Sequence, residues 1–405
     1  MRHRRSGTLP PKMDNELRDI GEACEVVAER VVEPVQGMHR VISSRTFRYL
    51  GPPGEPVRAV YEPVTDGIYR TIPRLVRVAG AGAAAALAQR APEIEPVSRS
   101  RIGSGWQAAV NALWGDRLVE RNNALAVSLT VRSGSQPVGV DRGSLAAAFP
   151  DATPHIAVLL HGLGQTERCW SGGSGDLSGV LGSLVETPGL TPVPVRYNTG
   201  LPVARTGDEL SHLLSSIRRN WPVEHPVVSL VGYSMGGLVA RRSWATAAAS
   251  GEAWAEEARH LITIGAPHRG SPLARAAAAG AGILKLSRTS RPLGEFLDAQ
   301  SVGMKNLRDG AGVAEMWGGA VSANSAGAAA GLREHVIAAV VTGDSSHPVG
   351  AVAGDLVVRV GSATAGTAHA ANVRVLGRRR HFDLMRDPEV TAQVVGWLSD
   401  VDASD

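Results

Sequence analysis

The sequence has little that could staple, anchor or metal-load a fold. Its 405 residues include only two cysteines, Cys24 and Cys169. Two thiols cannot build a disulfide framework, and neither sits in a C-x-x-C or zinc-type pattern. No H-E-x-x-H string or second clustered ligand accompanies any histidine, so no metal is expected. Aromatic residues make up 4% of the chain. No long basic stripe with interleaved aromatics occurs, which excludes nucleic acid as the expected partner. Long apolar runs are also missing. The most apolar early stretch, "VAGAGAAAALAQ", lies between Arg77 and Arg90 and is too short and too rich in Ala and Gly to span a bilayer. The basic start "MRHRRSGTLPPKMDNELRDI" is followed by no apolar segment, so it does not read as a secretory signal. The expected location is cytoplasmic.

What remains is the composition of a globular protein, 43% hydrophobic and 20% charged. That is enough to bury a sizeable core. The net charge is +4, and nearly all cations are arginine. The clusters "MRHRR" and "RRRH" read first as solvated ends or loops. They leave peripheral contact with anionic lipid headgroups open as a partner class.

The chain changes character near residue 125. Residues 1–124 read as a helical N-terminal region with Pro breaks, the first dozen residues loose. Residues 125–405 read as a second domain. It opens with a hairpin, "LAVSLTVRSG" and "QPVGV", followed by "HIAVLLHG", "PVPVRYN", "PVVSLVGYS", "HLITIGAP", "HVIAAVVTG" and "NVRVLG". These runs are apolar on both faces, and helical patterns such as "TGDELSHLLSSIRRN" separate them. That alternation predicts an α/β fold with a mostly parallel central sheet covered on both sides. Residues 268–333 interrupt the alternation. They read as a helical cap or lid, because insertions in such sheets emerge where ligands bind.

"VGYSMGGLVARRSW" contains the one G-x-S-x-G of the chain. It follows a predicted strand and opens a predicted helix, which is the context a nucleophile elbow requires. Ser234 is therefore the candidate nucleophile. "HGLG" at 161–164 ends the first parallel strand. The backbone N–H groups of Leu163 and Met235 are the candidate oxyanion donors. A dinucleotide loop is excluded here, since Glu167 stands where G-x-G-x-x-G needs its last glycine. Of the histidines after Ser234, His381 lies between the last strand and the terminal helix, where the base of this chain order belongs. For the acid, position along the chain leaves Asp344 and Asp355 both open.

Together, "VLLHGLG", "GYSMGG", "ITIGAPHRGSPLA", "GDLVVRVGSA" and "HFDLMRDPEVTAQVVGWL" resemble α/β hydrolases of the lipase/esterase group. The branch most similar to them includes the PGAP1-like (GPI inositol-deacylase-like) domain and bacterial triacylglycerol lipases. The resemblance covers residues 125–400. It implies Asp355 as the acid, through a D-x-V-V phrase followed by Ser362 and Ala363. Leu356 and Arg359 depart from that phrase, standing where Gly and Pro are common. The resemblance further implies His381 as base, Ser234 as nucleophile, no cofactor, and an ester or lipid-like small molecule as substrate. Acyl transfer or thioester cleavage by the same residues, and a catalytically silent scaffold, are the rival expectations.

Overall fold

Eight strands build one sheet in the computed structural model, which describes residues 55–90, 100–171, 179–271, 301–309, 331–344, 346–365 and 372–400, with single positions between 24 and 44. The strands are β1 (Thr130–Ser133), β2 (Gln136–Val138), β3 (His155–Leu160), β4 (Leu190–Arg196), β5 (Val227–Tyr233), β6 (His260–Ile264), β7 (Arg333–Val340) and β8 (Asn372–Gly377). Their order across the sheet is β2-β1-β4-β3-β5-β6-β7-β8. β1 pairs antiparallel with β2 and with β4, and every other pairing is parallel. This is the α/β-hydrolase fold. All eight strands fall on the runs marked in the sequence.

The central strands read as unbroken apolar runs because both of their faces are covered. β3, "HIAVLL", is buried at all six positions. Successive side chains point to opposite faces. Ile156, Val158 and Leu160 join one core, while Ala157 and Leu159 join the other.

The helices supply the covering layers. The described ones are α1 (Glu55–Arg90), α2 (Arg101–Glu120), α3 (Arg142–Ala148), α4 (Gly179–Val185), α5 (Val203–Asn220), α6 (Met235–Ala249), α7 (Ala253–Glu256), α8 (Val302–Asp309), α9 (Pro348–Ala353), α10 (Val360–Ala363) and α11 (Pro388–Ser399). α5 buries Leu210, Leu214 and Ile217 at helical spacing, against Leu238, Val239 and Trp244 of α6 on the first face. α4 and α11 cover the second face through Val180, Leu184, Val390 and Val394. Each fully buried side chain of this size contributes about 1.5–3 kcal/mol.

The described residues form two compact units. One carries α1 and residues 116–126. α1 runs without interruption through Pro63 and Pro73, where the sequence suggests breaks. Each proline removes one N–H donor and crowds the carbonyl four residues earlier, at a cost of about 3 kcal/mol that the rest of this long helix absorbs. The other unit holds the sheet, its flanking helices and residues 101–115. It therefore begins upstream of the boundary read at residue 125. The cause is polar: Asn111 Oδ1 accepts the N–H of Val127 at 2.9 Å, and Asn198 Nδ2 donates to the Gly115 carbonyl at 3.1 Å. Most of the cap or lid read at 268–333, and most of the first 54 residues, lie outside the described residues. Among the described residues, no helix is long and apolar enough to cross a membrane.

Candidate active site

β5 ends at Tyr233, and α6 begins two residues later at Met235. Ser234 makes the turn alone, at φ 52° and ψ −119°. A non-glycine residue at positive φ costs on the order of 1–3 kcal/mol and persists only where its surroundings enforce it. Here they do. The Ser234 N–H donates to the Ile264 carbonyl at 2.8 Å, and its own carbonyl accepts the Gly237 N–H at 3.0 Å. The flanking glycines are needed for space. A Cβ on Gly236 would lie 2.2 Å from the Leu160 carbonyl oxygen, and one on Gly232 would lie 2.4 Å from that of Gly236.

His381 opens a 3-10 turn, His381–Arg386, that follows β8. Its Nδ1 stands 2.7 Å from Asp355 Oδ2, and its Nε2 stands 2.9 Å from Ser234 Oγ. All three side chains are buried. A carboxylate only accepts hydrogen bonds, so Nδ1 carries the proton and Nε2 is left to accept from the serine hydroxyl. The ring is fixed from several sides. Tyr233 stacks on it with centroids 5.2 Å apart, and the Tyr233 hydroxyl donates to the His381 carbonyl at 3.0 Å. Burial pushes the Tyr233 hydroxyl pKa up, so the phenol stays a neutral donor.

Asp355 is held as firmly. Its Oδ1 accepts the N–H groups of Val357 (2.9 Å) and Val358 (2.7 Å), and its carbonyl accepts the His381 N–H at 3.0 Å. Leu356, where the related phrase commonly has Gly, sits at φ 80° with its side chain exposed. Glycine would hold that conformation without strain. Arg359, where Pro is common, has φ −78° and caps α10, a geometry proline also fits. Both departures therefore keep the shape of the turn.

Asp344, the other acid candidate, is exposed and points at its own loop. Its Oδ1 accepts from Ser346 N at 2.9 Å and His347 N at 3.2 Å. Hydrogen bonds from Ser346 hold its carboxyl below the usual range. Among the other late histidines, His260 and His335 are buried partners of each other, 3.0 Å apart. His369 lies outside the described residues.

The loop after β3 packs on the elbow, as the Gly236–Leu160 approach requires. His161 holds the loop's shape: Nδ1 faces the Gly162 carbonyl at 3.0 Å and Nε2 accepts the Tyr197 N–H at 3.3 Å. Burial drives its pKa down to about 4, so it is neutral and positional. The Gly162 N–H donates to Gln165 Oε1 and that of Gly164 to Thr199 Oγ1. The N–H groups of Leu163 and Met235 have no acceptor among the described residues. Met235 is the first residue of α6, whose N-terminal donors have no intrahelical partner.

Two supporting groups carry no motif of their own in the sequence reading. One is Tyr233. The other is Ser271, whose Oγ donates to the Val357 carbonyl at 2.7 Å and ties the Asp355 turn to the loop after β6. Ser362 adds to that tie, accepting from Arg269 N at 3.0 Å and donating to the Gly270 carbonyl at 2.9 Å. The sequence shows Ser362 as a letter of the acid phrase, and only the fold reveals what it touches. Among the described residues, no group of three or more His, Cys, Asp or Glu side chains could hold a metal ion.

Residues 209–281 match the model of the PGAP1-like alpha/beta domain. No curated protein matches the chain. Among solved structures, the chain is similar to the lipase BlEst2 of Bacillus licheniformis in its mature form, at 19% identity and a TM-score of 0.43, covering 62% of this chain and 93% of that one. The RedJ thioesterase of the prodiginine pathway of Streptomyces coelicolor aligns at 17% identity and 0.33, covering 62% and 92%. A Pyrococcus furiosus esterase aligns at 16% identity and 0.35, covering 61% and 82%. By strand order and by the match over 209–281, the chain is an α/β hydrolase in fold and is similar to the PGAP1-like domain.

Proposed function

We propose that the protein is a serine hydrolase that cleaves carboxylic esters through an acyl-enzyme. The observation that carries this reading is the continuous hydrogen-bonded line from Asp355 through His381 to Ser234. Nε2 of His381 takes the hydroxyl proton as Ser234 Oγ bonds to the acyl carbon. The carbonyl electrons move onto oxygen, where the N–H groups of Leu163 and Met235 are the available donors. Asp355 stabilises the imidazolium. Collapse of the tetrahedral species expels the alcohol, which takes the proton from His381. Water then repeats the two steps and frees the acid. The likeness of the sequence motifs to those of lipases and esterases supports a lipid-like acyl ester as substrate class.

The test is covalent capture. A fluorophosphonate should form an adduct that peptide mass spectrometry locates on Ser234, and ester hydrolysis should fall in proportion to labelling. An adduct elsewhere, with hydrolysis intact, would refute the assignment.

The acid is tested by a pair of amides. In Asp355→Asn, the amide presents N–H groups or a weaker acceptor to Nδ1, and the ring adopts the wrong tautomer. Such a replacement lowers kcat by about 10⁴-fold. Asp344→Asn alters only a loop cap and should leave kcat unchanged. Steady-state kinetics on both variants, with the reverse ranking, would move the acid to Asp344.

A further inference from the structure

The sheet-bearing unit holds a cleft of about 700 Å³ between the segment after β3 and the His381–Arg386 turn. Its walls carry four arginines, Arg101, Arg168, Arg379 and Arg386. Two carboxylates also line it, and one of them pairs with an arginine of the cleft itself. Asp387 pairs with Arg379 and caps α11, accepting the Glu389 N–H at 2.8 Å. Asp383 accepts the Arg380 N–H at 3.0 Å. Arg386 is exposed and has no carboxylate in ion-pair reach among the described residues. A smaller cavity of about 300 Å³ shares Arg101, Arg168 and Ser171 with the cleft.

The cleft adjoins the candidate catalytic groups. Phe382, on its wall, follows His381 in the chain and meets the imidazole edge-on at 5.6 Å. Gln165, also on the wall, is the residue that holds the Gly162 N–H, at 3.2 Å. Phe382 is 71% exposed.

We infer that this cleft seats an anionic group, a phosphate or carboxylate, of the ester whose carbonyl reacts at Ser234. The inference rests on the esterase reading and adds its charge selectivity. Guanidinium forks match the planar or tetrahedral oxygens of such anions. Walls of one net sign in a concave site focus the field and raise the local concentration of an oppositely charged substrate. Phe382 offers the apolar contact that an acyl or glyceryl carbon would use.

The test compares matched esters on the full chain. Monobutyrylglycerol is set against its phosphate ester as the soluble pair, and monooleoylglycerol against lysophosphatidate as the lipid pair. The phosphorylated member of at least one pair should have the higher kcat/KM, and that advantage should shrink as salt rises. Arg386→Glu should lower kcat/KM for the phosphorylated ester by about tenfold or more relative to the neutral ester. Arg386→Lys should keep most of the preference. Advantage in the soluble pair alone identifies a small phosphate ester, and advantage in the lipid pair alone identifies a headgroup. Equal rates within both pairs, or a preference untouched by Arg386→Glu, would overturn the inference. If none of the four esters is hydrolysed, the esterase reading fails, and the cleft is judged by calorimetric titration with inorganic phosphate. Binding that Arg386→Glu removes upholds the cleft, and absence of binding ends it.

Discussion

Ser234→Ala is expected to abolish ester hydrolysis and fluorophosphonate labelling while leaving a folded protein. Removing the nucleophile of such a triad costs on the order of 10⁶-fold in kcat, because no other group can form the acyl-enzyme. The loss in stability should be below about 1 kcal/mol. Alanine keeps the backbone donor and acceptor that fix the turn, Ser234 N to Ile264 O and Gly237 N to Ser234 O. Only the hydroxyl and its bond to His381 Nε2 are lost. Gly236→Ala makes the contrast. It touches no reacting atom, yet its methyl would lie 2.2 Å from the Leu160 carbonyl oxygen. Backbone at that distance must move, so this variant should lose both stability and activity. Thermal unfolding and hydrolysis measured on the two proteins separate chemistry from shape. A Ser234→Ala protein with undiminished hydrolysis would end the triad reading.

The sheet was legible because buried parallel strands leave a plain trace. "HIAVLL" and "HLITI" are apolar on both faces and bounded by turns, and they form β3 and β6. The start of α5 was less so: "TGDELSHLLSSIRRN" marks residues 206–220, while the helix begins at Val203. Its first turn is capped by Pro202, which gives no side-chain hydrogen bond to read. The elbow was legible because a strained turn needs glycine on both sides, and glycines survive as letters. The candidate acid was not legible from order alone. Asp344 and Asp355 both follow β7, and what separates them is where each carboxylate points. Asp344 turns back on Ser346, whereas Asp355 reaches His381. The arginine cleft left no trace at all. Its members come from three segments that only the folded chain brings to one wall.

The same is true of a buried histidine group at the opposite ends of the strands, which should make the fold acid-labile. His155 begins β3, His260 begins β6 and His335 sits two residues into β7. β6 and β7 are neighbours, and across the intervening β5 the His155 and His260 rings stack with centroids 6.2 Å apart. His155 Nε2 meets Ser229 Oγ at 2.8 Å, His260 meets His335 at 3.0 Å, and His335 packs on Trp397 with centroids 4.5 Å apart. Burial is the main cause that lowers each to about 4; His155 repels His260, His260 repels His335, Arg259 and Arg333 add to this, and Asp400 opposes it at His335. His161 is lowered to about 4 by burial as well. In each case the folded pKa lies below the unfolded value of 6.5. The unfolded chain therefore binds more protons between 6.5 and about 4. Stability is full above that window and is lost as pH falls through it. One such group carries on the order of 3 kcal/mol across the window. The four do not add simply, since His260 and His335 titrate as a pair. Glu167 cannot produce the same loss. Burial is the largest single effect and would raise its pKa, but the hydrogen bond and charge of Arg196 together with the charge of Arg132 outweigh it and hold it below 4.5, so its contribution disappears only at lower pH. The urea midpoint of the protein should thus fall steeply from pH 6.5 toward about 4. A midpoint that stays flat across this range would mean that these rings are protonated, or reached by water, in the folded state.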